Sequence, residues 1–202
     1  MVAINLVGYL SVTLGYVPPS VVSVLGNFPA WEISDADGTV VLIGRNVEER
    51  SAAMEEGLQS MREQGYFSIL QSWRNETFPV FGLEKQVLLH IERCACPLFG
   101  VVTYGVHAVG YVSPQGPGQQ LKVWVSRRAR SKQTFGGMLD STAAGGIASG
   151  ESPLETLVHE CKEEASLPPD LVRQNVKAVG TVTHFYVRDL HSGGEIGLLQ
   201  PE

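Results

Sequence analysis

Two rhythms of apolar and polar residues divide this chain of 202 residues into candidate elements. Residues 6–17 are rich in Val, Leu, Tyr and Thr and run into Pro18-Pro19, which predicts a strand. Residues 20–25 predict a short helix opened by a Ser20 N-cap. Residues 31–33 and 39–43 flank Asp35-Ala36-Asp37-Gly38, a hairpin signal. At Asn46 the period becomes helical. Met54, Leu58 and Met61 fall on one side, Asn46 and Glu49 have capping-box spacing, and Gly65 ends the run after about Gln64. Residues 67–73 predict a second short helix.

The pattern then changes. Residues 87–91 are apolar like a strand, Pro97 breaks the run, and residues 101–112 and 121–125 predict two more strands around a Gly/Pro loop. The last strand is predicted over residues 177–188, with His184 as a structural histidine at its centre. Between them, residues 145–167 read GGIASGESPLETLVHECKEEASL: a glycine turn, then a helix stopped by Pro168-Pro169. Leu154, Leu157, Val158, Cys161 and Ala165 form its apolar stripe, with Cys161 a small buried hydrophobe. Glu160, Glu163 and Glu164 stand on the opposite side, three and four residues apart. These elements predict an α+β domain over residues 1–83 and a second α/β domain over residues 84–202.

Composition narrows the chemistry. A hydrophobic content of 44% and a charged content of 18% are ordinary for a globular protein. The net charge of −6 argues against non-specific nucleic-acid binding, yet a divalent ion can offset it locally for a phosphorylated small molecule. Cys94, Cys96 and Cys161 make no even disulfide framework, and Cys94-Ala95-Cys96 reads as strand. A reducing compartment, the cytoplasm, is the simpler expectation. No apolar run is long enough to span a bilayer, and the apolar start lacks the positive region of a signal peptide. Three crowded carboxylates on one helix face suit a hard cation, Mg²⁺ or Mn²⁺, with sites left open for phosphate oxygens. Judged alone, such a face is usually just a solvated surface.

Spacing favours the first reading. Gly145 is followed by five residues and Glu151, then seven more to His159-Glu160, with Cys161 in an aliphatic place and Glu163-Glu164 as a pair. This resembles the box of the Nudix hydrolase family, with His159 in place of arginine and Ser166 in place of the last glycine. Residues 15–22 (GYVPPSVV), Trp73-Arg74-Asn75-Glu76, and Trp124 with Arg128, Lys132 and residues 137–140 (GMLD) resemble one fungal and plant subgroup. That subgroup is labelled thiamine pyrophosphokinase-related, and in it a small α+β domain precedes the Nudix domain. Residues 180–188 and the run from Gly193 and Gly194 fit it also.

The resemblance implies an α/β/α sandwich with a mixed sheet. It implies metal-dependent cleavage of a diphosphate linkage, with oxidised thiamine diphosphate as the first substrate and a nucleotide-linked diphosphate as the second. Glu160, Glu163 and Glu164 would hold Mg²⁺ or Mn²⁺, Glu163 or Glu164 would take a proton from water, and His159 would hold Glu151. Gly145 and Gly146 would lie along the substrate, and Arg127, Arg128 and Lys132 either contact phosphate or form a solubilising loop. His159 offers no guanidinium fork, so His159→Arg is expected to raise activity. Trp73 and Trp124 read as core or interface residues. The family's domain carries more strands and a further helix than the residues after Leu167 provide, so a partial Nudix domain is expected. The rival is a non-catalytic binding protein derived from such an enzyme.

Overall fold

The computed structural model describes residues 1–6, 12–131, 135–183, 186–190 and 195–199, the last two stretches as backbone only. The described residues group into two compact units, one from 1–103 and 182–202 and one from 104–181. The architecture is α/β of mixed character, as expected, with several small sheets.

The first unit is built on β1 (Val2–Leu6), β2 (Gly15–Val17), β3 (Trp31–Ser34) and β4 (Thr39–Leu42), with helix α1 (Pro19–Leu25) between β2 and β3. The sheet order is β2-β1-β4-β3, and β1 and β4 run parallel while the outer pairs are antiparallel. The single strand expected over residues 6–17 is therefore two strands that turn back on each other, and residues 7–11 lie outside the description. At Gly15 a Cβ would fall on the carbonyl of Phe99, so the close backbone approach requires glycine. Ser20 is not the cap of α1. Pro18 takes that place with no side-chain bond, and Pro19 starts the helix, where its missing N–H costs nothing.

Helix α2 (Val47–Glu63) forms where the period predicted it. Asn46 Oδ1 accepts the Glu49 N–H at 2.8 Å, and Gly65 comes after the helix at φ 70°. The return half of the capping box is diverted, because the Glu49 carboxylate takes the backbone N–H of Arg45 and its guanidinium instead. Met54, Leu58 and Met61 are buried, each contributing about 1.5–3 kcal/mol by leaving water. A 3₁₀ segment at Ser68–Ser72 precedes the hairpin of β5 (Thr77–Phe81) and β6 (Val87–Glu92).

Helix α2 packs on β6. Ser51 Oγ accepts the His90 N–H at 2.9 Å, and Arg50 Nε donates to the Leu88 carbonyl at 2.8 Å. These bonds tie the second hairpin to the first unit, whose N-terminal stretch runs to Thr103. Cys94 and Ala95 are not strand but 3₁₀ turn (Arg93–Ala95), because Glu92 accepts the Cys94 N–H; α3 (Cys96–Phe99) comes next, with Pro97 in its first turn.

In the second unit, the strands expected over residues 101–112 and 121–125 are shorter: β7 (Gly105–Ala108), β8 (Tyr111–Val112) and β9 (Lys122–Val123). The run breaks at Gly110, whose N–H donates to Thr142 Oγ1 at 2.8 Å instead of continuing the ladder. Then come β10 (Ser126–Arg127), β11 (Leu139–Asp140), β12 (Ala143–Gly146), α4 (Pro153–Ala165) and α5 (Pro169–Asn175). The ladders are β7–β12, β8–β9 and β10–β11, all antiparallel.

The core of this unit is Ala143, Leu157, Val158, Cys161 and Val172, with Val106, Ala108 and Leu167 at its margin. Leu154, expected on the buried stripe, is 43% exposed, because it sits in the first turn of α4 beyond that cluster. The strand expected over residues 177–188 appears only as β13 (Tyr186–Leu190), paired with β14 (Glu195–Leu199) in the first unit; His184 lies outside the described residues.

Candidate active site

Helix α4 is positioned by its two ends. Ser152 is the N-cap, accepting the Glu155 N–H at 3.3 Å, and Pro153 opens the first turn. Gly150, at φ 88°, makes the reversal from strand to helix. The expected glycine turn is thus split. Gly145 and Gly146 are extended residues of β12, opposite Val106 and Gly105, and the turn proper is at residues 148–151. At the far end Ser166 is left-handed, φ 54° and ψ 29°, and its N–H donates to the Cys161 carbonyl. The place where the box normally has glycine is indeed a glycine-like conformation.

The four glutamates of the motif fall into different environments. Glu160 lies against β12: a Cβ built on Gly145 would land on its carboxyl group. Glu164 Oε2 accepts the Ala144 N–H at 3.2 Å, one residue along the same strand. Glu160 and Glu164 therefore share the ridge of α4 that faces β12. Glu163 is turned aside, with Oε1 3.1 Å from His159 Nε2, and both side chains are well exposed.

Glu151 is not held by His159. Its Oε2 accepts the hydroxyl of Thr156 at 2.7 Å. The expected clamp fails because His159 lies on the outer side of α4, where its i+4 neighbour Glu163 is the nearer carboxylate. Cys161 is 3% exposed; burial pushes its thiol up, and the neighbouring Glu160 and Glu164 carboxylates push it further. It is a core residue and no nucleophile.

The basic residues are engaged elsewhere. Arg127 Nη1 donates to the Gly137 carbonyl at 2.7 Å, and Arg128 Nη1 to Asp140 Oδ2 at 2.7 Å, so both brace the β10–β11 hairpin. Partial burial pulls the Asp140 carboxyl upward, but the Arg128 bond and charge and the Ser141 N–H outweigh it and hold the group below its usual range. Lys132, Gly193 and Gly194 lie outside the described residues. Trp124 is 67% exposed, against expectation, because its backbone is bonded to Gly110 and Thr142 while its ring is left in solvent. Trp73 is half-buried, its indole N–H bonded to Asn75 and the Arg62 guanidinium above its ring.

Among the described residues no three His, Cys, Asp or Glu side chains gather as a ready metal site. The donors on the β12 ridge nonetheless fit Mg²⁺ in kind. Both are carboxylates, and Mg²⁺ commonly takes one or two of these and completes its shell with water and phosphate oxygens. Glycine at 145 is what leaves room for one of them. The partner of Glu151, Thr156, is not marked by the motif, and it stands outside the apolar stripe of α4, so the hydrophobic pattern does not point to it either.

The NUDIX domain family model matches residues 106–194, and a model described as a domain of unknown function (DUF4743) matches residues 10–103. An uncharacterized protein of Saccharomyces cerevisiae, YJR142W, is 34% identical over 69% of this chain and 40% of its own. Nudix hydrolase 20, chloroplastic, of Arabidopsis thaliana is 36% identical over 73% of this chain and 38% of its own. Nudix hydrolase 24, chloroplastic, of the same plant is 36% identical over 68% of this chain and 36% of its own. The matches thus span 36% to 40% of these relatives' lengths.

Proposed function

Starting from a Nudix domain over residues 106–194, we propose that this chain is a metal-dependent hydrolase of a diphosphate linkage. The observation that carries the reading is the ridge of α4 against β12, where Gly145 leaves the space that Glu160 occupies and the Ala144 N–H fixes Glu164. Glu160 and Glu164 would hold Mg²⁺ or Mn²⁺, which when bound offsets charge on the diphosphate oxygens during cleavage. Glu163, exposed and in contact only with His159 among the described hydrogen bonds and ion pairs, is left to take the proton of the attacking water. Glu151 would stand as a further carboxylate before Glu160.

The substrate we favour is an oxidised form of thiamine diphosphate. Its support is the resemblance carried by residues 15–22, Trp73 to Glu76 and Trp124 to Asp140. A nucleotide-linked diphosphate is the alternative within the same chemistry. A net charge of −6 favours a small-molecule partner over nucleic acid. Among the described residues no helix is long and apolar enough to cross a membrane. Two relatives carry "chloroplastic" in their names, whereas three free cysteines, two of them buried, suit the reducing cytoplasm we propose for this chain.

The test begins with circular dichroism and a melt to establish folding. Folded protein with Mg²⁺ should then release phosphate from oxidised thiamine diphosphate, and Glu163→Gln and Glu164→Gln should each abolish it. Glu164→Gln should also weaken Mn²⁺ binding, and Glu163→Gln should not. Diphosphate binding without turnover in the wild type would replace this reading with the non-catalytic one.

A further inference from the structure

We propose that Thr156 is the positioning residue for Glu151, doing for this chain what the cation at 159 would otherwise do; this rests on the hydrolase reading above. Glu151 lies one residue before the N-cap of α4, with an exposed side chain. A free glutamate there would sample many rotamers, at an ordering cost of up to about 2 kcal/mol. Thr156 removes that freedom. It is 2% exposed and β-branched, so its χ1 is stiff within the helix. A helical threonine commonly turns its hydroxyl back onto the carbonyl four residues earlier. Here that carbonyl, of Ser152, takes the Thr156 N–H at 3.0 Å, while the hydroxyl points to Glu151 Oε2 at 2.7 Å. That length suits an O–H donating to a charged carboxylate.

Position gives the bond its consequence. Thr156, Glu160 and Glu164 are spaced i, i+4, i+8, so they form one row along α4. By anchoring Glu151, Thr156 places a further carboxylate one turn before Glu160 in that row. His159 stands outside it, paired to Glu163.

Thr156→Val keeps the shape and removes the hydroxyl; Thr156→Ser keeps the hydroxyl. With oxidised thiamine diphosphate and Mg²⁺, kcat should fall about tenfold in the valine variant, as for loss of one hydrogen bond to a charged group, with KM little changed. Serine should restore most of the loss. Urea midpoints supply a readout independent of turnover: the effect of Thr156→Val should vanish in a Glu151→Ala background, while His159→Ala should act equally in both. Additive Thr156→Val and Glu151→Ala effects, or serine as impaired as valine, would overturn the assignment. If the wild type hydrolyses no diphosphate, the functional reading fails, and the urea cycle alone decides whether Thr156 holds Glu151.

Discussion

Replacing Ser166 by glycine should stabilise the second unit. Ser166 ends α4 in the left-handed region at φ 54° and ψ 29°, which costs an L-residue about 1–2 kcal/mol relative to glycine. Glycine brings greater freedom to the unfolded chain, a loss of about 0.5–1 kcal/mol. Ser166 is exposed, and its hydroxyl makes no hydrogen bond among the described residues, so the substitution removes no contact. The net expectation is a gain of about 0.5–1 kcal/mol, or roughly 1–4 °C in Tm for a chain of this size. Urea and thermal melts followed by circular dichroism would measure it, with hydrogen exchange at the Leu167 amide, which donates to Cys161 at 3.1 Å, reporting locally. Ser166→Ala is the control, because alanine meets the same left-handed penalty and should gain nothing. A fall in midpoint for Ser166→Gly, or an equal rise in Ser166→Ala, would refute the reasoning.

Gly145→Ala should separate stability from function. The atoms it meets belong to the flexible end of Glu160, so the urea midpoint should move by no more than about 1 kcal/mol, while Mn²⁺ affinity by calorimetry drops tenfold or more; unaltered metal binding would contradict the placement of Glu160. Asp140→Asn should cost on the order of 1 kcal/mol at neutral pH, since Asp140 and Arg128 are only about a quarter exposed. Because the Asp140 carboxyl is held below its unfolded value, this advantage exists above about pH 4 and is lost as acid protonates the folded group. Melts of both proteins should converge toward pH 2, and a gap that persists there would show that something other than charge is lost. The motif alone predicts that His159→Arg raises turnover; with Glu151 already bonded to Thr156, kcat should instead stay within about twofold. A tenfold rise would mean that the arginine place still serves Glu151.

What could be read in advance was local. Helix α2 was legible because Met54, Leu58 and Met61 repeat at helical spacing between Asn46 and Gly65, residues that start and stop a helix by themselves. Helix α4 was legible from its apolar period and the Pro168-Pro169 stop, but that Glu163 turns away from Glu160 and Glu164 was not. Residues 6–17 were not, since uniform β propensity does not say where a strand folds back. Cys94 and Ala95 took a turn because the Glu92 carboxylate captured a backbone N–H, a choice invisible in composition. Within the site, the spacing located the glutamates but not their partners. Whether Glu151 meets Thr156 or His159 depends on how the turn at Gly150 delivers the chain to α4.

The division among the glutamates follows from helix geometry. At about 100° per residue, Glu164 lies about 40° from Glu160, toward the side of Leu157 and Cys161, and Thr156 lies about 40° away on the other side. Leu157 and Cys161 are buried in the core, so the Thr156–Glu160–Glu164 row runs along the border where α4 meets β12. Glu163 is about 100° from Glu164, and His159 about 40° beyond Glu163, so these two must meet in solvent. Carboxylates on the border are fixed by strand backbone and by the absence of a side chain at Gly145; the one beyond it is restrained only by an exposed ion pair, worth at most about 1 kcal/mol. A group that must hold a cation needs the first condition, and one that must exchange a proton with water needs the second. The same sequence spacing supplies both, because one step back along the chain, from Glu164 to Glu163, rotates a carboxylate from the strand toward solvent.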